Sequence, residues 1–100
     1  MQHIGMQRET EGGELIATFR ESGIDVRIVA RAPASSCCLR FIDPYGDTVI
    51  NQLQLPVLVA ELRELRDSCP EADLREHIEE AITFIEESKD DYSYIRFLGD

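Results

Sequence analysis

No stretch of this chain approaches the ~20 apolar residues that a membrane span requires. The opening MQHIGMQRETEGGE has no apolar core of the kind a signal peptide carries, so no leader is expected. Phosphate-binding glycine loops, zinc-ligand spacings, nucleophile elbows and basic stripes are missing. So are internal repeats, linkers and low-complexity segments. Positive charge is scarce, with 10 basic residues against 20 acidic ones and a net charge of -10. Affinity for a phosphate backbone comes from Lys and Arg, so no nucleic-acid partner is expected. The same deficit argues against anionic membranes. It suits a basic protein partner, whose approach the field would speed. Acidic charge that only keeps a small protein soluble is the plainer alternative.

Cysteine is sparse and odd in number: Cys37, Cys38 and Cys69. A secreted disulfide framework uses an even, spaced set. Neighbours on a strand point to opposite faces, which suits neither one metal site nor an ordinary disulfide. Three reduced thiols are expected, one of the adjacent pair buried as a small hydrophobe. That points to the cytoplasm.

What is present fits one domain. One hundred residues can bury a single modest core. Residues 1–13 are polar, with Gly5 and Gly12-Gly13, and predict a flexible N-terminal arm carrying a solvated His3. Residues 14–100 are the expected domain. Glu14 to Arg20 alternates as a strand, and so does Ile24 to Arg31. The short Glu21-Ser22-Gly23 link predicts a hairpin between them. After Pro33, a third strand is expected over Cys37 to Ile42, with Leu39 and Phe41 on one face.

Asp43-Pro44-Tyr45-Gly46-Asp47 is a dense turn signal. Pro44 presets φ, Asp43 can form an Asx turn, and Gly46 tolerates positive φ. Thr48 to Asn51 then predicts a short fourth strand, or a loop leading to the next helix. That helix begins near Pro56 and ends before Pro70. Its apolar stripe is Leu55, Leu58, Val59, Leu62 and Leu65. A second helix runs from about Glu71 to Lys89, with Leu74, Ile78, Ala81, Ile82 and Ile85 inward and Phe84 on the flank. Tyr92 to Leu98 alternates as the last strand. The order β-β-β-(β)-α-α-β predicts an α+β fold: an antiparallel sheet of four or five strands with two helices packed on one face.

Candidate chemistry is thin. Asp43 and Asp47 could bind a hard cation or do acid–base work. The same residues write an ordinary turn, with Tyr45 as a partner contact, and calcium loops carry more ligands. His77 is expected on a solvated flank beside Glu76 and Glu79, with no nucleophile motif to serve. Cys69 reads as an inert thiol. Glu76, Glu80 and Glu87 read as a solvated helix face. Tyr92, Tyr94, Arg96 and Leu98 stand out more. If the helices cover one sheet face, these project from the other, and Tyr and Arg are favoured interface anchors.

The stretch LRFIDPYGDTVINQLQLPVLVAEL and the ending YIRFLGD resemble a family of small bacterial proteins of uncharacterised function. The resemblance implies a bacterial, cytoplasmic, single-domain protein and transfers no functional residue. The expectation is an acidic protein-binding module without catalytic activity or cofactor, of an immunity or inhibitor type. A structural homodimer and a metal- or ligand-dependent enzyme using Asp43 and Asp47 are the alternatives.

Overall fold

The computed structural model describes residues 3–87 and 93–99. The elements run β1 (His3–Thr10), β2 (Leu15–Asp25), α1 (Val26–Ala30), a 3-10 turn (Leu39–Phe41), β3 (Asp47–Ile50), α2 (Leu55–Ser68), α3 (Ala72–Glu86) and β4 (Ser93–Leu98). The strands form one antiparallel sheet in the order β2-β1-β4-β3. The fold is α+β, with the two long helices on one face of the sheet.

The helices are where their apolar spacing puts them. Leu55, Leu58, Val59, Leu62 and Leu65 are buried on α2, and Leu74, Ile78, Ala81, Ile82 and Ile85 on α3. Pro56 occupies the first turn of α2, where its missing N–H has no intrahelical role. From the sheet, Ile4, Met6, Phe19, Ile50, Ile95 and Phe97 close the same core. Met6 and Phe97 border a residual void of about 10 Å³ together with Leu58, Leu62, Ala81 and Ile85. That volume is about the least that holds a water, so sheet and helices are in direct contact.

Residues 3–10, expected in a flexible arm, are instead an interior strand. β1 pairs with β2 on one side and β4 on the other. Ile4 and Met6 are fully buried beneath the helices. Arg8 lies on this face too, donating to the Phe84 carbonyl at 2.8 Å and covering the Phe84 ring at 4.9 Å. A cation from another strand thus meets the C-terminal carbonyls of α3, as the helix dipole favours. Lys89, the cation expected there, and Tyr92 lie outside the described residues.

The expected hairpin between residues 14–20 and 24–31 is replaced by one between β1 and β2. Gly13, at φ 86°, donates to the Thr10 carbonyl at 2.9 Å in the connecting turn. β2 runs on through Gly23, where φ is 72° and an added Cβ would lie 2.3 Å from the Ile4 carbonyl oxygen. The strand expected over residues 24–31 becomes helical after Asp25, whose carboxylate caps the Arg27 N–H at 2.9 Å. Ile28 is fully buried, so core contact overrides the β preference of Val26, Ile28 and Val29.

The strand expected over residues 37–42 is also absent. The Glu61 carboxylate on α2 accepts from the N–H groups of Cys37, Cys38 (3.1 Å) and Leu39 (2.9 Å). Those donors are then unavailable to a sheet ladder, and the chain coils into the 3-10 turn. Leu39 is buried but Phe41 is 57% exposed, so they do not share a face. All three cysteines are free thiols, Cys37 exposed and Cys38 and Cys69 buried.

Two outcomes follow. Removing residues 1–13, which a loose arm would tolerate, abolishes the cooperative urea transition followed by circular dichroism. Gly23→Ala lowers unfolding free energy by at least ~2 kcal/mol, because backbone blocks the Cβ and φ is positive.

Candidate functional site

The alternation of each strand leaves one sheet face without a helix. Registers place Thr18, Gln7, Arg96 and Val49 in one row across all four strands. Glu9 and Tyr94 form the next row on one side, and Gly5, Leu98 and Asp47 the row on the other. Leu98 rests on Gly5, where an added Cβ would come within 3.3 Å of the Leu98 Cβ.

Arg96 ties this face together. Its Nε donates to Glu9 Oε2 at 2.8 Å and its Nη1 to Asp47 Oδ2 at 3.2 Å, linking three strands. Gln7 donates to the same Glu9 oxygen. That bond and the Arg96 guanidinium hold the Glu9 carboxyl below its ordinary value, although burial acts the other way.

The Asp43–Asp47 turn adjoins this face at its Leu98 end. Asp43 Oδ1 accepts from the Tyr45 N–H at 2.8 Å, the Asx turn its sequence suggests. The Asp43 N–H donates to Thr48 Oγ1 at 3.0 Å. Gly46 does not adopt positive φ. Its lack of a Cβ instead spares Asp43 Oδ2, which would lie 2.9 Å away. Gly99 donates to the Gly46 carbonyl at 3.0 Å, and a Cβ on Gly99 would fall 2.5 Å from the Gly46 nitrogen. Tyr45 projects from this turn, 74% exposed.

The structure therefore places Tyr94, Arg96 and Leu98 on one sheet face, with Asp47 and Val49 beside them and Tyr45 in the adjoining turn. Tyr94 and Leu98 are half-buried, and Val49 is 44% exposed. Asp43 and Asp47 have separate uses, one in the turn and one in the ion pair. Among the described residues no group of three or more His, Cys, Asp and Glu is placed to hold a metal ion. Glu9 and Gln7 were not legible as site residues. Their signal was the alternation Gly5-Gln7-Glu9, which the glycines around it obscured.

A second concave feature lies over the end of β2. A cleft of about 400 Å³ is lined by His3, Arg20, Asp25, Arg27, Asp73, Leu74, Glu76, His77 and Glu80. His77 is not on a solvated flank. Its ring meets Phe19 edge-on at 5.8 Å between centroids, and its Nε2 accepts from the Asp25 N–H at 3.1 Å. Burial, then the nearby Arg20 charge, push the His77 pKa below its ordinary value. Hydrogen bonds from Arg27 hold the Asp25 carboxyl low. At neutral pH the imidazole is thus neutral and the carboxylate ionised. No Ser or Cys nucleophile lines the cleft among the described residues.

The nine arginines of the sequence are spent internally. Arg8, Arg20, Arg27, Arg31, Arg63, Arg66 and Arg96 each meet a carboxylate. Arg40 and Arg75 donate to the Ser36 and Cys69 carbonyls. Glu64 and Glu76 are exposed and carry no ion pair among the described residues. The net charge of -10 makes the outward charge acidic.

No protein-family model, curated protein or solved structure matches this chain. No helix among the described residues is long and apolar enough to cross a membrane.

Arg96→Met strands the buried Glu9 carboxylate, and urea denaturation at pH 7 should show a lower unfolding midpoint than the parent. Because the Glu9 carboxyl lies below its ordinary 4.5, its contribution is complete above that pH and declines as the pH falls. The gap between variant and parent should therefore narrow in acid.

Proposed function

We propose that this chain is a small protein-binding module whose bare sheet face receives a partner of basic character. The observation that carries it is that face: Tyr94, Leu98 and Val49 surround the Glu9–Arg96–Asp47 pairs, with exposed Tyr45 at its edge. Aromatic and arginine anchors framed by polar groups suit a protein interface. The internal use of every arginine supports a basic partner over an acidic one. Free thiols support a reducing compartment, hence the cytoplasm. An immunity or inhibitor role fits the size and charge, and the bacterial family resemblance belongs to the same proposal.

Association of two copies is the second reading. It is favoured by exposed apolar side chains beside the α2 N-terminus, where Leu53 is 88% and Val57 41% exposed. A groove of about 560 Å³ lies there, lined in part by Leu55, Pro56, Val59 and Ile85.

Immobilised protein should capture one basic protein from a lysate of the source cells at low salt, and release it as salt rises. Tyr94→Ala should weaken that complex by about 2 kcal/mol, and Val49→Glu should abolish capture while leaving the unfolding midpoint in place. Recovery of no basic protein, or capture indifferent to both substitutions, overturns the proposal. Light scattering separates the second reading: a monomer at high concentration ends it.

A further inference from the structure

The contacts of His77 favour a neutral ring over a protonated one. Its Nε2 accepts the Asp25 N–H at 3.1 Å, which requires a lone pair there and places the ring proton on Nδ1. Nδ1 lies 2.8 Å from Arg20 Nη1, and a guanidinium only donates. The ring therefore stands between two donors, with Phe19 against its edge; when neutral it accepts from Asp25 and leaves its Nδ1–H beside Arg20, and when protonated it accepts from neither. A second proton would set N–H against N–H at Asp25 and add positive charge beside Arg20.

The backbone that this ring holds is strained. Arg20 has φ 41° and Gly23 has φ 72°. The left-handed region is costly for a side chain such as arginine and persists only when surrounding contacts enforce it. The contacts here are the Arg20–Glu80 ion pair at 3.3 Å and the Asp25–His77 bond. Both tie residues 20–25 to α3.

We propose that His77 is an acid-released latch that fastens the end of β2 and the start of α1 to α3. When the imidazole takes up a proton, the Asp25 amide loses its acceptor, and residues 20–25 detach from α3.

The charged surroundings do not hold the imidazolium in place. Asp25 is already bonded to Arg27, and Glu80 is engaged by Arg20. His3 on β1 and Arg27 on α1 face the cleft with further positive or protonatable groups, while Asp73 and Glu76 line it from α3. Burial and Arg20 outweigh the attraction of Asp25 and Glu80, so the folded pKa lies below the ordinary 6.5. The sign follows. A group with a depressed folded value binds its proton more readily in the unfolded chain. The latch thus contributes fully above pH 6.5, and its contribution falls as the pH drops from there to the folded value.

The test is nitrogen-resolved NMR of the full chain between pH 8 and pH 5, above the range where ordinary carboxylates titrate. It follows the His77 ring and amide exchange protection, corrected for the intrinsic pH dependence of exchange. The expected result is a His77 midpoint below 6.5. Protection at residues 20–25 falls between pH 6.5 and that midpoint and levels off below it, by about ten-fold for each unit between the folded and unfolded values, while Ile78 and Ile82 stay protected. His77→Gln keeps an acceptor near the Nε2 position without titrating, and should remove the pH dependence. A midpoint at or above 6.5, protection at Asp25 that ignores the titration, or a pH dependence that survives in His77→Gln overturns the latch. Should that variant not fold, the titration of the parent chain decides alone.

Discussion

Six register pairs join β1 to β4, from Gly5↔Leu98 to Thr10↔Ser93. β2 and β3 each lie at an edge and reach the rest of the sheet through only one of these two strands. The β1–β4 ladder is therefore the joint on which both faces depend. On one side it sets Met6 against Phe97 and Arg8 against Ile95, beneath the helices. On the other it sets Gln7 against Arg96 and Glu9 against Tyr94, so that the Glu9–Arg96 pair spans the joint it helps to hold. A shift of one residue would exchange these faces, placing Glu9 in the core and Met6 outside. Register, more than any single contact, separates the core from the bare sheet face.

The helical half of the molecule was legible because its burial is decided along each helix. A stripe at positions 55, 58, 59, 62 and 65 requires no knowledge of what it packs against. β4 was legible for the same reason, with Ile95 and Phe97 alternating with Tyr94 and Arg96. The N-terminal half is written differently. β1 carries Gly5, and its inward Arg8 is tolerable only because Phe84 and Glu87, far away in sequence, receive it. The 3-10 turn depends on Glu61, some twenty residues downstream. α1 rests on one aspartate cap and the buried Ile28. β1 and the 3-10 turn are thus decided by distant partners, which periodicity does not record.

The same division holds for the candidate surface. Tyr94, Arg96 and Leu98 follow from strand alternation, and Tyr45 from its turn. Glu9, which fixes the direction of Arg96, lies in a segment that composition alone assigns to an arm. His77 looked like a solvated residue because its helical neighbours are glutamates. Its actual partners come from β2, through a backbone amide that no side-chain pattern reveals. Electrostatics, by contrast, was readable as a sum but not as a distribution. The net charge suggests an acidic exterior, and in the structure the arginines are engaged by carboxylates and carbonyls of the same chain, several of them at the surface.

The ladder between β1 and β4 also bears on how the chain reaches this state. Glu9 and Arg96 are 87 residues apart in sequence, so the central pairing belongs to the long-range contacts that slow folding. During synthesis β1 and β2 can close their hairpin early, over a turn of a few residues. The other edge of β1 then stays unpaired until β4 has been made. For that interval the nascent chain presents Ile4 and Met6 beside an open ladder, the kind of exposed edge that invites pairing with another chain. Gly5 and the charged Arg8 and Glu9 in that strand weaken its appeal to a wrong neighbour, and so serve the unfinished chain as well as the folded one.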